Sequence, residues 1–165
     1  MTTLTTNYLT PTGREEAWRF TPLKRLGGLH DGTAVIADRK SLSLKGPTAD
    51  GVSFERISRE LAVPLTESDD VVVGRIRESA ADVAVLTIKA NTEVAAPIFL
   101  NRSAGATDSA ELSRVQIRIE NHAKATVIIE NSGDTHLAED LEISVAPGAN
   151  LTLVSLQEWD GKTIH

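Results

Sequence analysis

The chain has 165 residues, 41% of them hydrophobic and 24% charged, the size and balance of one soluble globular unit with a real core. Its net charge of -6 is uneven: residues 1–100 carry 12 basic and 13 acidic side chains, residues 101–165 carry 5 and 10. An acidic second half argues against nucleic acid as a partner. The absence of cysteine removes disulfides, thiolate catalysis and thiolate metal ligands from this sequence.

The opening MTTLTTNYLT has no basic-then-apolar signal, and no apolar run is long enough to span a membrane, so a cytoplasmic protein is expected. Residues 1–9 are Thr-rich and expected to fray. Thr10 followed by Pro11 reads as an N-cap and first helical position, with a short helix continuing through Phe20. Pro22 ends it; Thr21-Pro22 starts a second turn through Leu26 that Gly27-Gly28 closes. Trp18, Leu23 and Leu26 supply the apolar side of this arm, with Trp18 as its core anchor.

Asp31-Gly32 predicts a turn, Thr33–Ala37 a strand, Ser41–Leu44 a weaker one, and Gly46, Pro47 and Gly51 a loop before a strand over Val52–Ile57. At Ser68-Asp69-Asp70 the capping signal opposes the β-propensity of Val71-Val72-Val73; the cap predicts a short helix to about Ala81.

From Ala84 one phrase of alternating residues is repeated three times. The apolar positions are Leu86, Ile88, Ala90, Val94, Ala96, Ile98 and Leu100; then Val115, Ile117, Ile119, Ala123, Ala125, Val127 and Ile129. The third set is Leu141, Ile143, Val145, Ala149, Leu151 and Leu153, with Ser155 in the last place. The copies align at offsets of 29 (86 to 115) and 26 (115 to 141). Period two marks strands with one buried and one wet face, the wet one including Gln116, Arg118, Glu142 and Ser144. With aromatics at only 4%, the core is built from Val, Ile, Leu and Ala, which suits narrow, regularly stacked strands.

Tight turns fall at Asn91-Thr92-Glu93, Glu120-Asn121-His122 and Ala146-Pro147-Gly148; Asn101–Arg114 and Asn131–Asp140 read as loops between copies. Each copy is either a hairpin of an antiparallel barrel or sandwich, or one coil of a parallel β-helix. Fixed offsets favour the coil, with Ile88 on Ile117 on Ile143. The hexapeptide repeat of left-handed β-helix acyltransferases is absent. Two segments follow: a helical and mixed one over 1–83 and a β-helix core over 84–165.

Gly13-Arg14-Glu15-Glu16-Ala17-Trp18-Arg19-Phe20-Thr21-Pro22-Leu23 resembles the opening motif of the SufB/SufD family of iron–sulfur cluster assembly proteins, on its SufD side. Ile88 to Leu100 (IKANTEVAAPIFL) is similar to that family's first β-helix strands. The resemblance implies a mainly β fold, a right-handed parallel β-helix preceded by helical segments. It implies a non-catalytic scaffold subunit of a SufB–SufC–SufD-type complex, with SufB-like and SufC-like (ABC ATPase) partners and the cluster handled by the full complex. Family members run to about twice this length or more, so the chain reads as an N-terminal fragment. The positions that bind SufC and form the SufB–SufD interface lie beyond it.

The repeat points the same way. Adding 26 to 141 places a further strand at about 167, past His165, so the stack ends in unpaired backbone groups that invite another chain. Self-association through that end is expected.

Histidine and carboxylate are the material for a metal or acid–base site: His122, Asp134, His136, Glu139, Asp140 and His165, with His122 in a turn aligned with Gly148. No HxH or HExxH spacing links them, and solvated surface is the reading adopted. Asp134 and Asp140 are the acids a β-helix polysaccharide lyase or hydrolase would need. Gly27-Gly28 lacks the GK[ST] of a phosphate loop. Ser132-Gly133 and Ser103-Ala104-Gly105 lack the elbow of a hydrolase nucleophile. Trp159 is balanced between core and interface. No catalytic, cofactor-binding or metal-ligating residue is assigned. The expected function is a non-enzymatic scaffold; the alternatives are a β-helix carbohydrate-active enzyme and a β-rich binding module.

Overall fold

The structure, a computed structural model, describes residues 9–46, 48–103 and 105–165; most of the fraying expected over 1–9, Pro47 of the predicted loop, and Ala104 lie outside them. The arm holds two short 3₁₀ turns, Glu16–Trp18 and Leu23–Leu26, where a helix from Thr10 to Phe20 was expected. Gly13 at φ 81° breaks the run just after Pro11. Beyond it the Glu15 carboxylate accepts from the Thr12 and Gly13 amides at 3.0 and 2.9 Å. Gly27 ends the second turn in the left-handed region at φ 56°, as its place predicts. Among the described residues Trp18 is half-buried and belongs to none of the buried apolar clusters, so the expected anchoring is not seen there; Leu26 packs with Leu29, Ile76 and Ala110.

At Thr33–Ala37 the predicted strand shrinks to one parallel bridge, Ile36 to Ala110. The helix α1 (Val71–Ser79) forms as the cap predicts. The Asp70 carboxylate accepts from the Val72 and Val73 amides at 2.7 and 3.1 Å, outweighing the β-propensity of the three valines. It buries Val71, Gly74 and Ile76.

The remaining elements are strands: β1 (Leu42–Lys45), β2 (Val52–Ser58), β3 (Asp82–Ile88), β4 (Ile98–Ser103), β5 (Ala106–Ile119), β6 (Lys124–Gly133), β7 (Thr135–Val145) and β8 (Asn150–Trp159). They form two open four-stranded sheets, ordered β1-β4-β6-β8 and β2-β3-β5-β7. β1 and β2 pair antiparallel with β4 and β3; every other pairing is parallel, so both sheets are mixed. Consecutive strands β3 to β8 alternate between the sheets, as hairpins never do. The repeat therefore stacks copy on copy. Leu42, Leu86, Ile88, Leu100, Ile117, Ile119, Val127 and Ile129, contributed by both sheets, share one buried cluster between them.

The register corrects one expectation. Leu86 pairs with Ile117 and Ile88 with Ile119, an offset of 31, while Ile98 pairs with Val127 at the expected 29. Both sheets keep 26 for the next step, Ile117 to Ile143 and Val127 to Leu153. Copy one is two residues longer between its paired strands: Ile88 to Ile98 against Ile119 to Val127. A slip of two keeps every side chain on its own face, so alternation cannot detect it.

The turns also stack. Each closes through an amide three residues on: Thr92 to Lys89 O, Ala123 to Glu120 O and Ala149 to Ala146 O, at 3.0 to 3.2 Å. The third residue is left-handed each time: Asn91 (φ 61°), His122 (φ 59°) and Gly148 (φ 71°). Amides also reach from turn to turn, Asn91 N to Asn121 O and His122 N to Pro147 O.

Candidate functional site

The segments read as loops between copies are strands. β4 runs through Ser103 and β5 starts at Ala106; β6 runs through Gly133 and β7 starts at Thr135. Their polar residues are buried against each other. Arg102, fully buried, donates from Nε to Ser41 Oγ (3.1 Å), from Nη1 to Asn131 Oδ1 (3.2 Å) and from Nη2 to Ser113 Oγ (2.9 Å). It also pairs with the Glu139 carboxylate. Arg102 lies beside Asn131 in one sheet and Ser113 beside Glu139 in the other, so the apolar filling gives way here to an ion pair with its hydrogen bonds met.

The supposed wet face of β5 and β7 is covered at Gln116 and Glu142, while Arg118 is half-buried and Ser144 exposed as expected. α1 and the segment around residues 62–66 lie over it, and Glu142 is the hub. Its carboxylate accepts from Arg77 (3.0 Å), Arg114 (3.1 Å), Gln116 (2.9 Å) and the Leu65 amide (2.8 Å). Arg77 also pairs with Asp140 at 2.7 Å, and Gln116 reaches the Val63 carbonyl at 2.9 Å. Burial opposes ionisation of Glu142, yet the bonds from Gln116, Leu65, Arg114 and Thr66 outweigh it and hold its carboxyl below the usual range. No local pattern marks these residues, because their partners lie far away in sequence.

The candidate ligands do not converge. His122 is exposed in its turn, over Gly148 as the alignment predicts. Asp134 accepts from the Lys162 amide at 3.0 Å. His136 is buried, its Nε2 3.4 Å from Leu26 O. Glu139 and Asp140 are held by arginines, and His165 lies against Trp159, ring centroids 5.3 Å apart. Burial pushes the His165 imidazole below its ordinary value. Among the described residues no three His, Asp or Glu side chains are placed to hold a metal. A hollow beside the end of α1 is lined by Arg56, Asp82, Glu111 and Arg114, but Arg56 binds Asp82 at 2.7 Å and Glu111 accepts from Ser41.

Each sheet has two edge strands, β1 and β8 in one, β2 and β7 in the other. At the start of β7 a further rung begins: Ile164 pairs in parallel with His136, the Leu137 amide donating to Ile164 O and the Ile164 amide to Thr135 O, both at 2.8 Å. From Ala138 onward β7 has no strand on that side among the described residues. The apolar row that is sealed at Ile117 and Ile119 is uncovered at Ile143 (38% exposed) and Val145 (48%). Trp159 sits half-buried at the same end, its indole N–H without an acceptor among the described residues.

No helix among the described residues is long and apolar enough to cross a membrane. No family model matches the chain, and no solved structure does. Curated proteins do match. The iron–sulfur cluster assembly SufBD family proteins of Mycobacterium tuberculosis, Mycobacterium bovis and Mycobacterium leprae are each 30% identical to it over 161 residues, 94% of this chain. That stretch is 39 to 40% of their length, so the chain spans about two fifths of the relatives it matches. Over nearly all of its own length, the chain is a homologue of SufBD family proteins, the family whose opening motif Gly13–Leu23 resembles.

Proposed function

We propose that this chain is a structural part of an iron–sulfur cluster assembly protein and carries no catalysis of its own. The observation that supports this most is the 30% identity to proteins of that name across 94% of the chain. The interior fits the same reading, since its buried charges are bound to one another rather than gathered at a reactive site.

On this reading the two sheets are successive faces of a right-handed parallel β-helix, and β7 and β8 present the face on which further β structure is laid. Parallel pairing, stacked turns and the rung started by Ile164 support it. The whole protein is then a SufD-like cytoplasmic subunit with a SufB-like partner and a SufC-like ABC ATPase, and the cluster is cargo of that complex.

The test is affinity purification of the full-length protein containing this chain from its own cells, with iron–sulfur enzyme activity measured after its deletion. Co-purification of an ABC-type ATPase with a second SufBD protein, and lowered activity of those enzymes, is the expected result. Neither partner recovered, with those activities unchanged, contradicts the proposal.

A further inference from the structure

We propose that the hollow between residues 28–36 and α1 binds a small carboxylate with an apolar body, its head seated on the Nε–Nη2 edge of Arg75. On α1, Val72, Arg75 and Ser79 are three and four residues apart and share one face. Opposite them the chain turns back tightly, the Gly32 and Ala34 amides both donating to Gly28 O, at 2.9 and 3.2 Å. The space between has a volume of about 230 Å³, and its apolar wall is Leu29, Ala34, Ile36, Val72 and Leu112. An apolar cavity of about 150 Å³ is enough for a benzene ring, so this one takes a ring or a short chain with a polar head.

Arg75 is the one charged side chain in that wall. Its Nη1 donates to His30 O and, at 3.2 Å, to Leu29 O, which holds the half-buried side chain against the turn. Its Nε and Nη2 make no hydrogen bond or ion pair among the described residues. Those two N–H groups form a planar fork that matches both oxygens of a carboxylate. Gly32 keeps the fork open, since a Cβ there would stand 3.3 Å from Nε and 3.8 Å from Nη2.

Ile36, Ser79 and Leu112 also line the neighbouring hollow, where the cations are already engaged: Arg56 with Asp82, Arg114 with Glu142, and Arg39 with Ser109. The free fork of Arg75 therefore fixes the head, and the body lies along Leu29, Val72 and Leu112. A mostly apolar concavity with one well-placed polar group is the usual form of a small-molecule site. It stands apart from the assembly reading, and neither outcome below bears on that role.

The test is calorimetric titration of the full-length protein containing this chain with 3-phenylpropionate and with its neutral counterpart, 3-phenylpropionamide. The carboxylate is expected to bind saturably, on the order of 1 mM or tighter for a probe this small, and the amide about ten- to a hundredfold more weakly. Arg75→Gln is expected to lose the carboxylate by a similar factor, with circular dichroism unchanged. Methyl resonances of Leu29, Val72 and Leu112 are expected to shift with the carboxylate. The amide comparison uses the unsubstituted protein, so it decides the matter even where Arg75→Gln fails to fold. No saturable binding, equal binding of acid and amide, or shifts confined to other methyl groups overturns the assignment.

Discussion

The ring of His122 lies over Gly148, the equivalent residue of the next turn: a Cβ built on Gly148 falls 2.2 Å from His122 Nδ1. Two constraints therefore meet at Gly148, a left-handed backbone at φ 71° and a ring where a side chain would go. Gly148→Ala is expected to destabilise the fold by about 1–2 kcal/mol from the backbone alone, and by more from the ring contact. His122→Ala in the same chain relieves the second part and leaves the first. A double-mutant cycle read by urea denaturation is expected to show a favourable coupling between the two substitutions. Additive effects would mean that the turns do not stack.

Arg102 and Glu139 make the second prediction. Truncating Arg102 to Met leaves a largely buried carboxylate beside Ser113 without its cation, and removing one partner of such a pair costs about 3–5 kcal/mol. Replacing both, Arg102→Met with Glu139→Leu, removes the stranded charge and is expected to recover most of that loss. Thermal unfolding of the three variants checks it. At roughly 2–4 °C per kcal/mol for a chain of this size, the single variant lies well below the double one.

Interior polar pairs of this kind also mark where the sequence stops being legible. Alternation showed the strands of the repeat, the cap at Asp70 showed α1, and the turn residues showed where each copy bends. Period two is blind to a shift of two, so the longer connection after Ile88 escaped, and with it the offset of 31. Arg102, Asn131 and Glu139 looked like loop residues because strands were expected to be apolar inside; what makes them strand residues is one another, across the core. Gln116 and Glu142 looked like a wet face because nothing local says that residues 62–66 and α1 cover it. The repeat spacing also places a further rung near residue 167, and the bridge between His136 and Ile164 lies close to it.

Glu142 sets the expected dependence on pH. Burial raises its pKa, and the bonds to Gln116, Leu65, Arg114 and Thr66 lower it by more; for Asp82, burial is likewise outweighed by Lys40 and Arg56. Both carboxyls thus titrate lower in the folded chain than in the unfolded one. The stability they contribute is complete above the ordinary carboxylate range and drains away as pH falls through their lowered values. Glu142→Gln is expected to cost about 3 kcal/mol near neutrality, where Arg77 and Arg114 lose a charged partner. It is also expected to flatten the fall in stability toward acid. Urea unfolding across a pH series measures both; an unchanged acid slope would contradict this role of Glu142.

The parallel stacking of the copies underlies all of this, and cross-strand nuclear Overhauser effects between backbone protons test it directly. The expected contacts link Leu86 to Ile117 and Ile117 to Ile143 in one sheet, and Ile98 to Val127 and Val127 to Leu153 in the other. Contacts instead pairing β5 antiparallel with β6, or β7 antiparallel with β8, would make each copy a hairpin and contradict the stack, its open edge and the assembly role drawn from it.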